Sequence, residues 1–372
     1  MNPRLWLRQV LALALKEFLT ILKDPKSRFV VIGPPLVQFI VFGYAATFDV
    51  THVDYAIVDE DRSPESRDLL SRFAGSENFS LVGELGSVNA IATSIDTQES
   101  RLVIHVGSDF SARLHAGRTA EVQVILDGRS SNVAGIALGY VQAIVGEWGR
   151  EWGSARPGPS IEVVERAWFN PSLTSRWFIV GGLPAQIALV VVMLLTSLSV
   201  AREREQGTFD QTLVTPIDSL QILIGKAIPP LLLGLFDGLL LSAGAVHWFG
   251  VPMTGTLFAL TAVLTVYSLA VIGIGLFVSS LATTMQQGLL GAFIVIMPAV
   301  LLSGFTTPIE NMPEWLQLAT VANPARYAVA GCRAVFLEGA DLTAVGRYLL
   351  PMAIMATLTL SASGWLFRHR SR

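Results

Sequence analysis

Few residues of this 372-residue chain are arranged to do chemistry. One cysteine, Cys332, leaves no internal disulfide and no paired-thiolate zinc site. The histidines His52, His105, His115, His247 and His369 are scattered along the sequence. A Gly-x-x-x-x-Gly-Lys-Ser/Thr phosphate loop is absent, as are a Gly-x-Ser-x-Gly nucleophile turn and a His-Glu-x-x-His pair. Asp59, Glu60 and Asp61 cluster, but at the end of an expected strand, where a solvated loop is the better reading than a metal site. Asp237 is the one acid inside an otherwise apolar stretch. A charge at that depth costs several kcal/mol, which makes it a candidate functional group. The alternative is a hydrogen-bonded carboxyl packed between helices. Gln38 and Gln186 are uncharged polar groups in similar stretches, able to line a path or to bond neighbouring helices.

A different chemistry, ion pairing and docking, is concentrated in residues 199–217. Arg202, Glu203, Arg204, Glu205, Gln206, Gly207, Thr208 and Phe209 form a short polar insert between two long apolar runs. Phe209, Leu213 and Ile217 add an apolar stripe. So short an insert, pinned between two crossings, must lie at one membrane surface, where it can receive force from a partner.

The surrounding composition explains why. The chain is 52% hydrophobic and only 15% charged, the profile of an integral membrane protein. Its net charge of −3 singles out no partner, and no nucleic acid is expected. A crossing helix needs about 20 apolar residues. Residues 29–48, 177–200, 227–249, 257–281, 285–307 and 347–367 qualify. Polar breaks at Gly250–Gly255 and Ser279–Gly288 divide a region without Asp, Glu, Lys or Arg between Asp237 and Glu310. The first run is longer than the roughly 7–15 residues of a signal peptide core, so an uncleaved span is expected. Six spans place both termini on one side. Lys16, Lys23, Lys26, Lys226, Arg202, Arg204, Arg368, Arg370 and Arg372 then share one face, which the positive-inside bias assigns to the cytoplasm.

Outside the spans, residues 3–24 have Leu7, Leu11, Ala14, Phe18 and Ile21 at helical spacing, with Arg8, Lys16, Thr20 and Lys23 opposite. They read as an interfacial amphipathic helix within a 1–28 leader, ended by Asp24-Pro25. Residues 49–176 read as a soluble α/β domain. Strands are expected at Asp54–Asp59, Arg101–Val106, Glu121–Leu126 and Ile161–Val164, and helices at Pro64–Ala74 and Asn132–Trp152. Residues 201–222 form the polar loop. Residues 308–346, interrupted by Pro313, Trp315, Pro324 and Tyr327, read as short helices at the outer interface or dipping back into the membrane. Residues 368–372 are a short tail.

Several local patterns are specific. They are Lys16-Glu17-Phe18 with Asp24-Pro25, Phe42-Gly43-Tyr44-Ala45, and Ala201-Arg202-Glu203-Arg204-Glu205-Gln206-Gly207-Thr208 with Pro216. Leu302-Ser303-Gly304-Phe305 with Pro308, Met312-Pro313 and Asn323-Pro324 complete the set. With them the whole chain resembles an ABC-2 type transporter permease. Trp168-Phe169-Asn170-Pro171 resembles the bacterial drug-exporter branch with a large periplasmic domain. The resemblance implies a six-helix, type V exporter-like transmembrane domain with an α/β extracytoplasmic domain inserted between helices 1 and 2. It implies an inner-membrane permease that is no enzyme and binds no cofactor. A separate cytoplasmic ATPase uses ATP and Mg²⁺ and docks on residues 202–209 as a coupling helix. It further implies a second permease copy or homologue, a periplasmic adaptor and an outer-membrane channel as partners, and amphipathic drugs as cargo. Asp237 matches no family motif, and Gln38, Gln186 and Asp237 stand as pathway candidates. A membrane sensor and a proton-driven carrier using Asp237 remain as alternative readings at this point.

Overall fold

A computed structural model describes residues 3–44, 52–127, 131–154, 175–209 and 217–370. The chain divides into two compact units, residues 48–166 and the remainder.

In the smaller unit the strands are β1 (Val53–Asp59), β2 (Phe79–Glu84), β3 (Leu102–Val106) and β4 (Val122–Leu126), in the order β2-β1-β3-β4. β1 runs parallel to both neighbours, and β4 is antiparallel to β3. Alternating side chains face opposite sides of the sheet. Tyr55, Ile57, Leu102 and Ile104 meet α3 (Pro64–Ala74) and α6 (Ser131–Ser154) through Phe73, Val141 and Trp148. Ala56, Val58 and Val103 meet Ile91 of α4 (Asn89–Asp96) on the other face. α5 (Phe110–His115) adds Phe110 to the first layer. Ser63 caps α3, accepting from Ser66 N at 3.0 Å, and Pro64 takes the first-turn position it suits. Three expected strands and both expected helices are present to within two residues. β2, α4 and α5 were not anticipated, and Ile161–Val164 lies outside the described residues. The acidic cluster is engaged in turns. Asp59 accepts from Arg62 N at 2.9 Å and Ser66 Oγ at 2.8 Å, and Asp61 accepts from Ser111.

The larger unit is helical: α1 (Pro3–Lys23), α2 (Pro25–Tyr44), α7 (Ser175–Glu205), α8 (Ser219–His247), α9 (Leu257–Leu281), α10 (Met285–Leu301), α11 (Glu314–Thr320), α12 (Pro324–Leu337) and α13 (Leu342–Arg370). Among the described residues five helices, α2, α7, α8, α9 and α13, are long and apolar enough to cross a membrane. α10 is apolar but only 17 residues long, because the chain turns after Leu301 and Gly304 takes φ 76°. The expected 285–307 span is therefore cut short, and the region before α13 holds a 3-10 turn (Ile309–Asn311), α11 and α12. The expected spans 29–48, 177–200, 227–249 and 347–367 shift or lengthen to α2, α7, α8 and α13, while 257–281 coincides with α9.

α7 is the central helix, packing against α2, α8, α9, α10 and α12. Close approach is set by glycines where a side chain would collide. A Cβ on Gly275 would overlap the Thr196 side chain of α7, and one on Gly273 would lie 2.7 Å from Leu360 N of α13. α9 thus sits between α7 and α13 with a glycine toward each, the small-residue contact that membrane helices favour.

Candidate functional site

The charged insert is not a loop at its start. α7 continues through Glu205, so Ala201–Glu205 are its last turn, a correction to the 201–222 loop. The helix ends at Gly207, whose φ of 68° is the left-handed conformation that glycine tolerates best. Thr208 N donates to Glu203 O at 2.9 Å and Gly207 N to Arg204 O at 3.1 Å, a Schellman cap. Residues 210–216, with Leu213 and Pro216, lie outside the described residues. The chain reappears at Ile217 and starts α8 with a capping box between Asp218 and Gln221.

Most of the insert's charges turn inward. Glu203 is 6% exposed. It meets Lys226 Nζ at 2.8 Å and Lys16 Nζ at 2.5 Å. Lys226, 2% exposed, also donates to Glu17 Oε1 at 2.8 Å and to Ser199 Oγ at 3.3 Å. Four charges from α1, α7 and α8 therefore form one balanced cluster beside a cavity of about 460 Å³. Arg202 donates to Ser27 Oγ at 2.6 Å and lies 3.2 Å from Asp24, which clamps the α1–α2 corner. Arg204 donates to the carbonyls of Ser280 and Ala282 at 3.0 and 3.3 Å and stands over the Phe209 ring. Glu205 accepts from Met285 N at 2.6 Å, at the N-terminus of α10 where a carboxylate is favoured.

The apolar stripe also turns inward. Phe209 is buried with Leu13, Val200, Ile222 and Phe367, and Ile217 packs on them. What remains exposed at the tip is Glu205, Gln206 and Gly207, with Thr208 half-buried. Burial of the ammonium pulls the Lys16 pKa down, but the Glu203 carboxylate outweighs it and leaves it above the ordinary lysine value of 10.5. A raised lysine pKa stabilises the folded state below the unfolded value and loses that contribution only as pH rises through the folded one, so Lys16 keeps its charge through the neutral range.

Two members of this cluster, Glu17 and Lys226, were not singled out as site residues by sequence. α1 buries Val10, Leu13, Ala14, Glu17 and Ile21, so its inner stripe is rotated from the expected one, and Leu7 and Leu11 are exposed. The available signal was an acid at position 17, three residues after Ala14 and four before Ile21.

The pathway candidates do not converge. Gln186 is buried and donates to Ser303 Oγ at 2.7 Å. Gln38 is half-buried on α2. Asp237 is 5% exposed on α8 with Oδ2 unpartnered. None of them lines the cavities of about 460, 420 and 200 Å³. A packed carboxyl is the reading that this placement favours. Asp237→Leu is expected to fold, to keep ATP-driven transport, and to gain about 1 kcal/mol by removing an unsatisfied buried group. Thermal melting and vesicle transport check this. A folded variant that cannot transport would put Asp237 on the path.

The family described as "ABC-2 family transporter protein" matches residues 26–365. The chain is 42% identical over 371 residues to "Probable multidrug ABC transporter permease YbhR" of Escherichia coli (strain K12), covering 100% of both chains. It is 33% identical over 346 residues to "Probable multidrug ABC transporter permease YbhS" of the same organism, covering 91% of both. It is 28% identical over 357 residues to "Inner membrane transport permease YhhJ", also of that strain, covering 94% of both.

Proposed function

Since the chain belongs to the ABC-2 family of transporter proteins, we propose that it forms half of an export pathway, moved by a partner ATPase through the turn that follows α7. It is a multi-pass permease subunit of an ABC exporter and no enzyme, and ATP hydrolysis resides in a partner subunit. The observation that supports the docking reading is the exposed Glu205-Gln206-Gly207 tip at the end of the helix around which the bundle packs. Inward pairing of Arg202, Glu203, Arg204 and Phe209 makes them the mount of this tip rather than its contact surface.

The orientation follows from the clustering of lysine and arginine. Both termini and the tip face the cytoplasm of a bacterial inner membrane, and residues 49–176 face the periplasm. α10 supplies the sixth crossing. At 1.5 Å per residue it spans about 25 Å, near the roughly 30 Å of the hydrocarbon core. A second permease, identical or homologous, completes the pathway, and the periplasmic domain offers a surface to an adaptor and an outer-membrane channel. The relatives named as multidrug permeases support drugs or other amphipathic compounds as cargo.

Glu205→Lys and Gly207→Pro test the coupling. Proline holds φ near −65° and cannot adopt the 68° of Gly207. In vesicles with the partner ATPase, each variant is expected to lose transport at least tenfold while ATP hydrolysis continues. Normal transport by both would remove the tip from the coupling path.

A further inference from the structure

At the opposite end of α7 from the charge cluster lies a second cavity of about 420 Å³, formed by the start of α7, the turn after α10, α12 and the start of α13. Its charged lining is one-sided: Arg326, Arg333 and Arg347 against Glu310. Arg333 donates to the carbonyls of Phe178, Gly304 and Phe305 at 3.0, 2.9 and 3.0 Å, and its guanidinium stacks 3.5 Å from the Phe178 ring centre. Arg326 donates to Thr320 Oγ1 at 2.6 Å. Both cations are thus held by neutral oxygens, which orient them without cancelling their charge. Arg347 stands over Tyr348 and reaches Glu338 only at 3.4 Å, in an exposed pair worth little. Between the guanidiniums the walls are apolar, including Pro308, Ile309 and Val329.

We propose that this cavity binds the acidic head of an alkyl phosphate or phospholipid, with the apolar walls receiving the adjoining chain. Planar guanidiniums match phosphate oxygens two at a time, which lysine does not. Stacking on Phe178 and Tyr348 fixes the planes of two of them before any ligand arrives. The chemistry is the same whether the anion is a lipid of the surrounding leaflet or a cargo molecule, and it does not depend on the direction of transport.

The test uses the full-length permease purified in dodecyl maltoside, which carries no phosphate, with dodecyl phosphate as probe and dodecyltrimethylammonium as the opposite-charge control. Saturable thermal stabilisation by dodecyl phosphate alone is expected, competed by inorganic phosphate. The variant Arg326→Gln/Arg347→Gln is expected to weaken binding at least tenfold, about 1.4 kcal/mol. It spares Arg333, whose three carbonyl contacts support the fold. Lipid analysis of the purified protein separates the sources. Phosphatidylglycerol retained by the native chain and missing from the variant identifies a membrane lipid, whereas dodecyl phosphate binding without retained lipid identifies a mobile compound. Equal binding of both detergent ions, or unchanged affinity in the double variant, would overturn the proposal.

Discussion

Replacing Lys226 with methionine is expected to cost the permease about 3–5 kcal/mol, the penalty for breaking a buried ion pair from one side. Lys226 has a side chain only 1% exposed and bridges Glu17 and Glu203, each at 2.8 Å. Without it two carboxylates remain enclosed with only Lys16 to answer them. The expected readouts are a lowered melting temperature and an α1 newly open to protease. Lys16→Met is the internal control. Its side chain is 50% exposed, so its loss should cost no more than about 1 kcal/mol. A triple change, Glu17→Leu/Glu203→Leu/Lys226→Met, should recover most of the loss, because apolar replacements of a buried ionic cluster are often neutral or stabilising. A Lys226→Met protein as stable as the native chain, with α1 still protected, would show that the cluster does not hold α1.

The second large effect is steric. Gly275→Ala places a methyl group against Thr196, whose Oγ1 is already fixed at 2.7 Å from Val192 O. Overpacking of this kind costs about 1–3 kcal/mol. Thr196→Gly should relieve it, because it removes both the overlapping Oγ1 and the Thr196 Cβ at 2.8 Å, a Cβ that alanine would keep. Gly273→Ala should cost as much but resist rescue by Thr359→Ala, because Leu360 N is backbone and stays 2.7 Å from the new Cβ. The pattern of rescue in a melting series distinguishes the two contacts. Rescue at both sites, or at neither, would contradict the packing of α9 between α7 and α13.

Much of this was legible where the signal is local. Pro64–Ala74 carries its own cap and first-turn proline, and Leu257–Leu281 is apolar throughout with Thr256 before it. Asp24-Pro25 marked the α1–α2 break because proline cannot continue the ladder. Gly273 and Gly275 are small enough to permit close helix contact, but nothing local says which helices meet there. β2 was missed because Phe79–Glu84 includes Gly83 and Glu84 and is mostly exposed, so its alternation is weak. The charged end of α7 was harder. Helix propensity carries Arg202–Glu205 past the apolar run, and the run of charge itself suggests solvent. Only long-range pairing shows otherwise, and Lys16 to Glu203 spans 187 residues of sequence. No local rule encodes that partner, so Glu203, whose charge is met inside the fold, read as part of a surface open to another protein.

The buried cluster also imposes an order on biosynthesis. Glu17 leaves the ribosome 209 residues ahead of Lys226, and Glu203 precedes Lys226 as well. Until α8 has been translated, the nascent chain holds two acids with only Lys16 beside them, and α1 lacks the helix it packs on most extensively. A transcript truncated before Lys226 would yield a polypeptide carrying that imbalance at the bilayer edge. Neutralisation of this base is therefore tied to the appearance of α8, so charge balance marks a chain that has passed Lys226.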